Sequence, residues 1–515
     1  MNWTSGYRAD IDYTYGYYGE LSPGMIEFAL LMSGYEPPRR EGMRYLELGY
    51  GQGLTVNIAA ASNEGAFWGA DFNPAHAAHA QSLARTSGAD ARFVDDSFAE
   101  LLARDDLGSF DVIALHGVWS WVSDENRRAI VEIMRRRLKV GGVVYISYNT
   151  LPGWAMGMPL RHMMTLHAES AGSDVQGVVG RIDAAISFGT RLAEAGGGYF
   201  AANPTAKARL EAIGGQNRNY VAHEYFNRDW APMYFSEANK WLSDAKLSYA
   251  GAAAVLNQID GFNLTPAQSE LLETLPAGEL RETMRDYLVN QQFRRDLFTR
   301  GARRLSLLER FERLNEVRIT LTKRPEDIPL EIDTALGKIG LREDIYAPII
   351  EALADHRGAP KTIGQIAQKP RLAGFQPGVL IEGVAVLLGS GRAHTALSEA
   401  QADAAAPRTR RLNEHFISRA RSGDDISTLA SPVIGGGIEV SRFDQMFLGA
   451  RAAKAGTSDD WALETWNILS RQGQSLIKNG QVLNTPEANL AELKMQAKGL
   501  VDNRLPILQR LRIVD

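Results

Sequence analysis

Glu47, Gly49, Gly51 and Gly53 stand together in one turn, Leu46-Glu47-Leu48-Gly49-Tyr50-Gly51-Gln52-Gly53, between an apolar run and a helical pattern. Glycines at this spacing let the backbone turn tightly and bring amide N–H groups and the positive end of a helix up to a ligand. A nicotinamide-type fingerprint is not met: counting from Gly49 its third glycine would be Leu54, and from Gly51 it would be Val56. Two more acidic sites follow in order. Asp71 closes Trp68-Gly69-Ala70-Asp71-Phe72-Asn73-Pro74, where a carboxylate can accept both hydroxyls of a ribose, and Asp95-Asp96-Ser97 ends the next apolar run. Each acid alone is also a good helix N-cap; their order and spacing together favour a nucleoside-type ligand.

The next two runs end in polar and aromatic residues. Leu115-His116-Gly117-Val118-Trp119-Ser120-Trp121 offers His116 as a general base or cofactor contact, and Ser147-Tyr148-Asn149-Thr150-Leu151-Pro152-Gly153-Trp154 brings Asn149 and Trp154 to the same edge. Five tyrosines, Tyr7, Tyr13, Tyr15, Tyr17 and Tyr18, precede residue 19. His223-Glu224 would need a second histidine at 227 to bind zinc; that residue is Asn227. No metal site is expected. Met156, Met158, Met163 and Met164 are expected to pack a helical core, and Arg294, Arg295, Arg300, Arg303 and Arg304 to form a solvated or salt-bridged face.

These residues must be held by an alternation of strands and helices. Strands are predicted at 43–48, 67–72, 91–95, 110–116 and 143–148, with helices at 23–33, 54–61, 75–86, 98–104 and 124–138, which reads as a doubly wound α/β domain. Strand-like pieces at 247–251 and 293–299 are expected to complete the sheet, leaving a helical insertion over 151–230 as a lid. The predicted division is 1–165, a cofactor-binding domain; 166–320, a middle domain of which 235–300 joins the sheet; and 330–515, a C-terminal domain. Helices at 363–367 and 377–390 and a strand at 391–397 suggest a winged-helix-like arrangement there. Residues 321–329 and 401–411 are predicted linkers.

The G-x-G-x-G turn with its preceding acid resembles motif I of class I S-adenosylmethionine-dependent methyltransferases. Tyr15-Gly16-Tyr17-Tyr18 through Pro23, the motif Glu47–Gly53, His116–Trp121, Tyr148–Trp154 and Tyr220–Phe235 together resemble bacterial methyltransferases with a methyltransferase regulatory domain, a group that includes rickettsial-type protein lysine methyltransferases. The resemblance implies a Rossmann-like α/β fold with a helical insertion and a mostly α, winged-helix-like C-terminal domain. It implies S-adenosylmethionine as cofactor, with S-adenosylhomocysteine as product. Cofactor contacts are expected from Glu47, Gly49, Gly51, Gly53, Asp71, Phe72, Asp95, Asp96, Ser97, His116 and Gly117. Tyr17, Tyr18, His116 and Asn149 are the catalytic candidates, and Trp119, Trp121 and Trp154 the candidate substrate channel. Expected partners are a protein presenting lysine or, alternatively, a small molecule; a non-catalytic cofactor sensor is the third reading.

Composition limits the other classes. The 515 residues carry 56 Lys+Arg against 61 Asp+Glu, a net charge of −5, which gives no global attraction to nucleic acid or anionic membrane. With no cysteine, thiolate catalysis, disulfides and cysteine-ligated metals are excluded. No signal-peptide pattern or long apolar stretch occurs, so a cytoplasmic location is expected.

Overall fold

The computed structural model describes residues 15–171, 177–453 and 456–515. Tyr7 and Tyr13 lie outside the described residues. A seven-stranded sheet organises the first 300 positions. Its strands are β1 (Arg44–Leu48), β2 (Ala66–Ala70), β3 (Ala91–Val94), β4 (Phe110–Leu115), β5 (Leu138–Asn149), β6 (Ser248–Ala252) and β7 (Phe293–Thr299), in the order β3-β2-β1-β4-β5-β7-β6. The first five run parallel; β7 is antiparallel to both β5 and β6. Apolar runs such as Val143–Ile146 are buried on both faces, as a parallel sheet covered by helices requires. The late strands therefore join the sheet, and the expected boundary at 165 cuts across one structural unit.

Five helices flank these strands: α1 (Pro23–Met32), α2 (Leu54–Ser62), α3 (Pro74–Ser87), α4 (Phe98–Ala103) and α5 (Asp124–Arg137). Local chemistry fixes their ends. Asn73 caps α3 through Ala75 N, Ser97 and Glu100 form a reciprocal capping box on α4, and Ser123 caps α5 through Asn126 N. The sheet's reversal point lies between β1 and β4, which opens a crevice at the carboxyl ends of the strands.

Between β5 and β6 the insertion is helical, with helices at Met158–Ser170, Gly177–Glu194, Pro204–Gly214 and Arg218–Tyr225 around their own core of Leu160, Met164, Ile182, Leu210 and Val221. The methionine expectation holds only in part. Met164 is fully buried and Met163 packs beside it, whereas Met156 and Met158 are 45% and 39% exposed, Met156 preceding the helix Met158–Ser170 and Met158 being its first residue.

Beyond β7, Arg318–Leu321 pairs with Lys361–Thr362 and Ala393–Ala396 in a three-stranded sheet with the helix Pro377–Gly389 packed against it. Arg318–Leu321, which precedes the expected start of the C-terminal domain at 330, thus pairs with two strands that follow it. The predicted linker 401–411 is instead inside the helix Glu399–Arg419. Ser398 and Gln401 close a capping box at its start, alanine is a strong helix former, and Ala402, Ala405 and Leu412 are buried. That helix lies against α2 and α3, so Leu54, Ile58, Ala61 and Leu83 share one hydrophobic core with Phe416, Leu429 and Ile434. Among the described residues, no helix is long and apolar enough to cross a membrane.

Candidate active site

A cleft of about 1130 Å³, open to solvent, occupies the crevice at the carboxyl ends of the parallel strands. The turn after β1 forms its floor. Gly49, Gly51 and Gly53 have φ values of 66°, 58° and 74°, in the left-handed region that glycine adopts without strain. A Cβ on Gly49 would stand 2.5 Å from Val118 Cγ2, and one on Gly53 2.7 Å from Ala80 Cβ. Gly49 therefore keeps the floor low, while Gly53, which does not line the cleft, permits the close approach of α2 and α3.

Asp71, at the end of β2, ties the floor to the neighbouring wall. Its Oδ2 accepts from Gly51 N at 2.9 Å, and its Oδ1 accepts from Asn73 N at 3.0 Å and lies 3.1 Å from His76 Nδ1. The carboxylate is 8% exposed, so these contacts hold its oxygens in one orientation at the cleft wall. Glu47 also reaches the cleft. Burial pushes its carboxyl up to about 8, and its Oε2 has no hydrogen-bond partner among the described residues. An enclosed carboxyl without a partner is costly; an ammonium-bearing ligand would supply the missing donor.

Asp96 and Ser97 line the cleft after β3 with Phe72 and Phe98. Asp95 does not: successive side chains on an extended segment point to opposite sides, and Asp95 is exposed on the outside. Asp96 Oδ2 accepts from Arg104 Nη1 at 3.0 Å, and the Ser97 hydroxyl accepts from Glu100 N in its capping box. After β4, Gly117 N donates to Ser147 Oγ at 2.8 Å, which holds the His116-Gly117 turn against β5.

The opposite rim is made by the N-terminal segment. Tyr18 stacks on His116 with ring centroids 3.7 Å apart and 26° between planes. His116 Nδ1 is 2.8 Å from the Tyr145 hydroxyl, and Phe293 meets the imidazole edge-on. Burial depresses the imidazole to about 4, with Glu20 opposing and Arg295 assisting. His116 is thus neutral at physiological pH, and so weak a base does not deprotonate an alkylammonium efficiently.

Several candidates stand elsewhere. The Tyr17 hydroxyl turns away from the cleft and accepts from Gly437 N at 2.6 Å; desolvation pushes it up to about 12. Trp119 is fully buried with its indole N–H donating to Met233 Sδ at 3.2 Å, so it anchors the core beneath the rim. Trp154 packs into the insertion, 5.1 Å from Trp230 and under the Arg209 guanidinium. Asn149 is buried in the sheet, its backbone N donating to Ser120 Oγ. Of the three tryptophans only Trp121 lines the cleft. In sum the cleft brings together Tyr18, Glu47, Gly49, Gly51, Asp71 and Phe72 with Asp96, Ser97, His116, Gly117 and Trp121.

Sequence reasoning missed Thr55, His76, Asn126 and Asp229, all cleft-lining. His76 sits in the first helical turn shortly after the end of β2, and Asn126 in the first turn of α5, capped by Ser123, signals that could have found them. Asp229 comes from the insertion and carries no local signal. Asn227, the residue that rules out a zinc pair, donates from Nδ2 to His223 O at 2.7 Å and finishes the helix Arg218–Tyr225. Each arginine of the run has a partner. Arg294 binds Asp286 and Asp296 at 2.6 and 2.7 Å, Arg295 binds Glu20, Arg303 binds Glu36 and Glu309, Arg300 donates to the Leu138 carbonyl, and Arg304 lies over Tyr35.

A 3-2-1-4-5-7-6 sheet with antiparallel β7, a glycine turn after β1 and acids at the ends of β2 and β3 defines a class I S-adenosylmethionine-dependent methyltransferase. Residues 46–142 match the family described as "Methyltransferase domain", and residues 217–300 the "Predicted methyltransferase regulatory domain". The chain is 37% identical over 516 residues to the uncharacterized protein sll1526 of Synechocystis sp., covering 100% of both chains. It is 26% identical over 318 residues to the uncharacterized protein RP789 of Rickettsia prowazekii, covering 61% of this chain and 56% of that one. The structure of PKMT2 from Rickettsia typhi in complex with AdoHcy superposes with a TM-score of 0.67 at 18% identity, over 97% of this chain and 99% of the other, and so shares the fold from end to end. The chain belongs to the S-adenosylmethionine-dependent methyltransferases that carry a methyltransferase regulatory domain.

Proposed function

We propose that this enzyme transfers methyl groups to lysine side-chain amines of a protein. The observation that carries the reading is the aromatic rim, in which Tyr18 stacks at 3.7 Å on a neutral His116, with Trp121 lining the same cleft. The full-length likeness to a rickettsial protein lysine methyltransferase supports it.

S-adenosylmethionine would supply an electrophilic methyl group on a sulfonium, the bond from acceptor nitrogen to methyl carbon forming in line as the sulfur–methyl bond breaks and S-adenosylhomocysteine leaves. The residues present fit that cofactor. Asp71 offers carboxylate oxygens to ribose hydroxyls, Asp96 a carboxylate toward the base, Phe72 and Phe98 apolar surface, and the unpartnered Glu47 oxygen an acceptor for an ammonium. What remains for the protein is alignment and a neutral nucleophile. A lysine amine has a pKa of about 10.4 and is mostly charged at neutral pH. Enclosure between uncharged rings disfavours the charged form and raises the neutral fraction. In this reading Tyr18 holds the acceptor stem, and the proton leaves to solvent rather than to His116.

The test is mass spectrometry of bacterial proteins incubated with S-adenosylmethionine and either wild-type enzyme or Asp71→Ala. Methyl-sized mass steps on lysines that depend on wild-type enzyme support the reading. Methylated metabolites with unmodified proteins would transfer it to small-molecule methylation.

A further inference from the structure

A second concavity, open to solvent, lies in the C-terminal part, and its lining is basic: Arg318, His356, Arg357, Arg510 and Arg512, with Glu399 as the single carboxylate among the described residues that line it. Leu397 and Val433 give it an apolar wall. The chain as a whole carries −5, so this concentration of cations is local.

Three observations converge on it. Arg318, Arg357 and Arg510 enter no ion pair with a described carboxylate, whereas Arg512 is bound to Asp403 and His356 lies 3.6 Å from Asp355. The Arg510 guanidinium is partly desolvated, donates from Nη2 to Leu321 O, and has a buried Nε with no partner. Finally, six non-glycine residues among those described have positive φ, and three of them, His356 (52°), Arg357 (58°) and Arg512 (54°), line this one cavity. Left-handed backbone at bulky residues persists only where the surroundings over-determine it, and such residues cluster at ligand sites. Here the left-handed backbone sets His356, Arg357 and Arg512 into one concave wall beside Arg318 and Arg510.

We propose that this cavity binds a compact phosphate-bearing ligand, with its phosphates on Arg318, Arg357 and Arg510 and its apolar portion against Leu397 and Val433. Guanidinium groups match phosphate oxygens as paired donors, and the combination of a concave site with one apolar wall suits a small molecule. A duplex backbone would call for an extended basic strip instead.

The experiment is calorimetric titration of the full chain with inorganic pyrophosphate at low salt, with S-adenosylhomocysteine present to occupy the catalytic cleft. Saturable one-site binding is expected, weakened at least about tenfold by Arg318→Gln/Arg357→Gln and unchanged by Arg39→Gln/Arg85→Gln, which removes the same charge from other exposed positions. Arg357→Gly separates ligand binding from folding. Glycine relieves the left-handed backbone, so this variant should melt at the same or a higher temperature yet bind pyrophosphate more weakly. Absence of saturable binding to wild type, equal binding by all variants, or preferential binding of a short DNA duplex would overturn the proposal.

Discussion

The Tyr17 hydroxyl accepts a hydrogen bond from the Gly437 amide at 2.6 Å, joining the N-terminal segment to a strand 420 positions away. The neighbouring residue, Tyr18, donates its backbone N–H to Thr55 Oγ1 at 3.1 Å and stacks its ring on His116. Tyr15 accepts from Arg419 at 2.8 Å on the same C-terminal surface. The rim of the cleft is thus fastened from outside, by a part of the chain that does not line the cleft. A Cβ on Gly437 would lie 2.5 Å from Thr428 Cγ2 and 3.1 Å from the Tyr17 ring, so glycine lets both the facing strand and the ring approach.

Tyr17→Phe leaves a buried amide without its acceptor and should lower stability by about 1–2 kcal/mol, read by urea unfolding. Because the same bond sets Tyr18, faster amide exchange at Tyr18 and several-fold weaker S-adenosylhomocysteine binding should accompany it. Unchanged exchange at Tyr18 would show that the fastening is not transmitted.

If Glu47 receives the cofactor ammonium as proposed, binding is expected to depend on pH. In the free protein burial holds its carboxyl at about 8, above the usual carboxylate range, so it is largely protonated at neutrality. Pairing with a ligand ammonium requires it to ionise, so affinity for S-adenosylmethionine should fall as pH drops below about 8, with proton release on binding near neutrality. Glu47→Gln should flatten that dependence. The stability effect has the opposite sign: the folded state holds a proton that the unfolded state releases near its ordinary value of 4.5, so Glu47 costs stability progressively as pH rises toward 8. Glu47→Gln is therefore expected to melt higher than wild type at pH 8, and a lower melting temperature there would contradict this account of the free site.

His116 should leave no mark on the rate profile near neutrality. Its depressed value of about 4 keeps it neutral throughout, so the profile of methyl transfer should rise with the deprotonation of the acceptor amine alone. An inflection near the ordinary histidine value that vanishes in His116→Asn would restore it as a general base.

Arg294 neutralises a buried acidic group. Its guanidinium binds Asp286, Asp296 and Glu282, and Asp296 also accepts from the Tyr148 hydroxyl at 2.8 Å. Arg294→Met strands these carboxylates and should cost roughly 3–5 kcal/mol. Burial already holds Asp286 at about 7, so the loss should be greater at pH 8 than at pH 5, where the folded state can protonate it. Equal losses at both pH values would show that the cluster carries no such charge imbalance.

The sheet was legible because its signals are local: apolar runs of four to six residues, glycine turns and capping residues announce β1–β5 and α2–α5 one at a time. The acids that line the cleft followed, since Glu47, Asp71 and Asp96 stand at strand ends. What stayed hidden depends on distant pairing. Nothing near Tyr17 announces Gly437, and nothing in Trp119 or Trp154 says that each is anchored by a partner, Met233 or Trp230, more than 70 positions away. The segment 401–411 shows a different limit. Its Ala, Asp and Arg composition suits either a solvated linker or a helix, and the burial of Ala402 and Ala405 against the core decides for helix.

The central claim, that the crevice around Asp71 is the cofactor site of a methyltransferase, is tested most directly by calorimetric titration with S-adenosylhomocysteine. Wild type should bind at one site with micromolar affinity. Asp71→Ala, which removes the acceptor of Gly51 N, should bind at least about thirtyfold more weakly, a loss of about 2 kcal/mol. Absence of binding by wild type, or undiminished binding by Asp71→Ala, would contradict it.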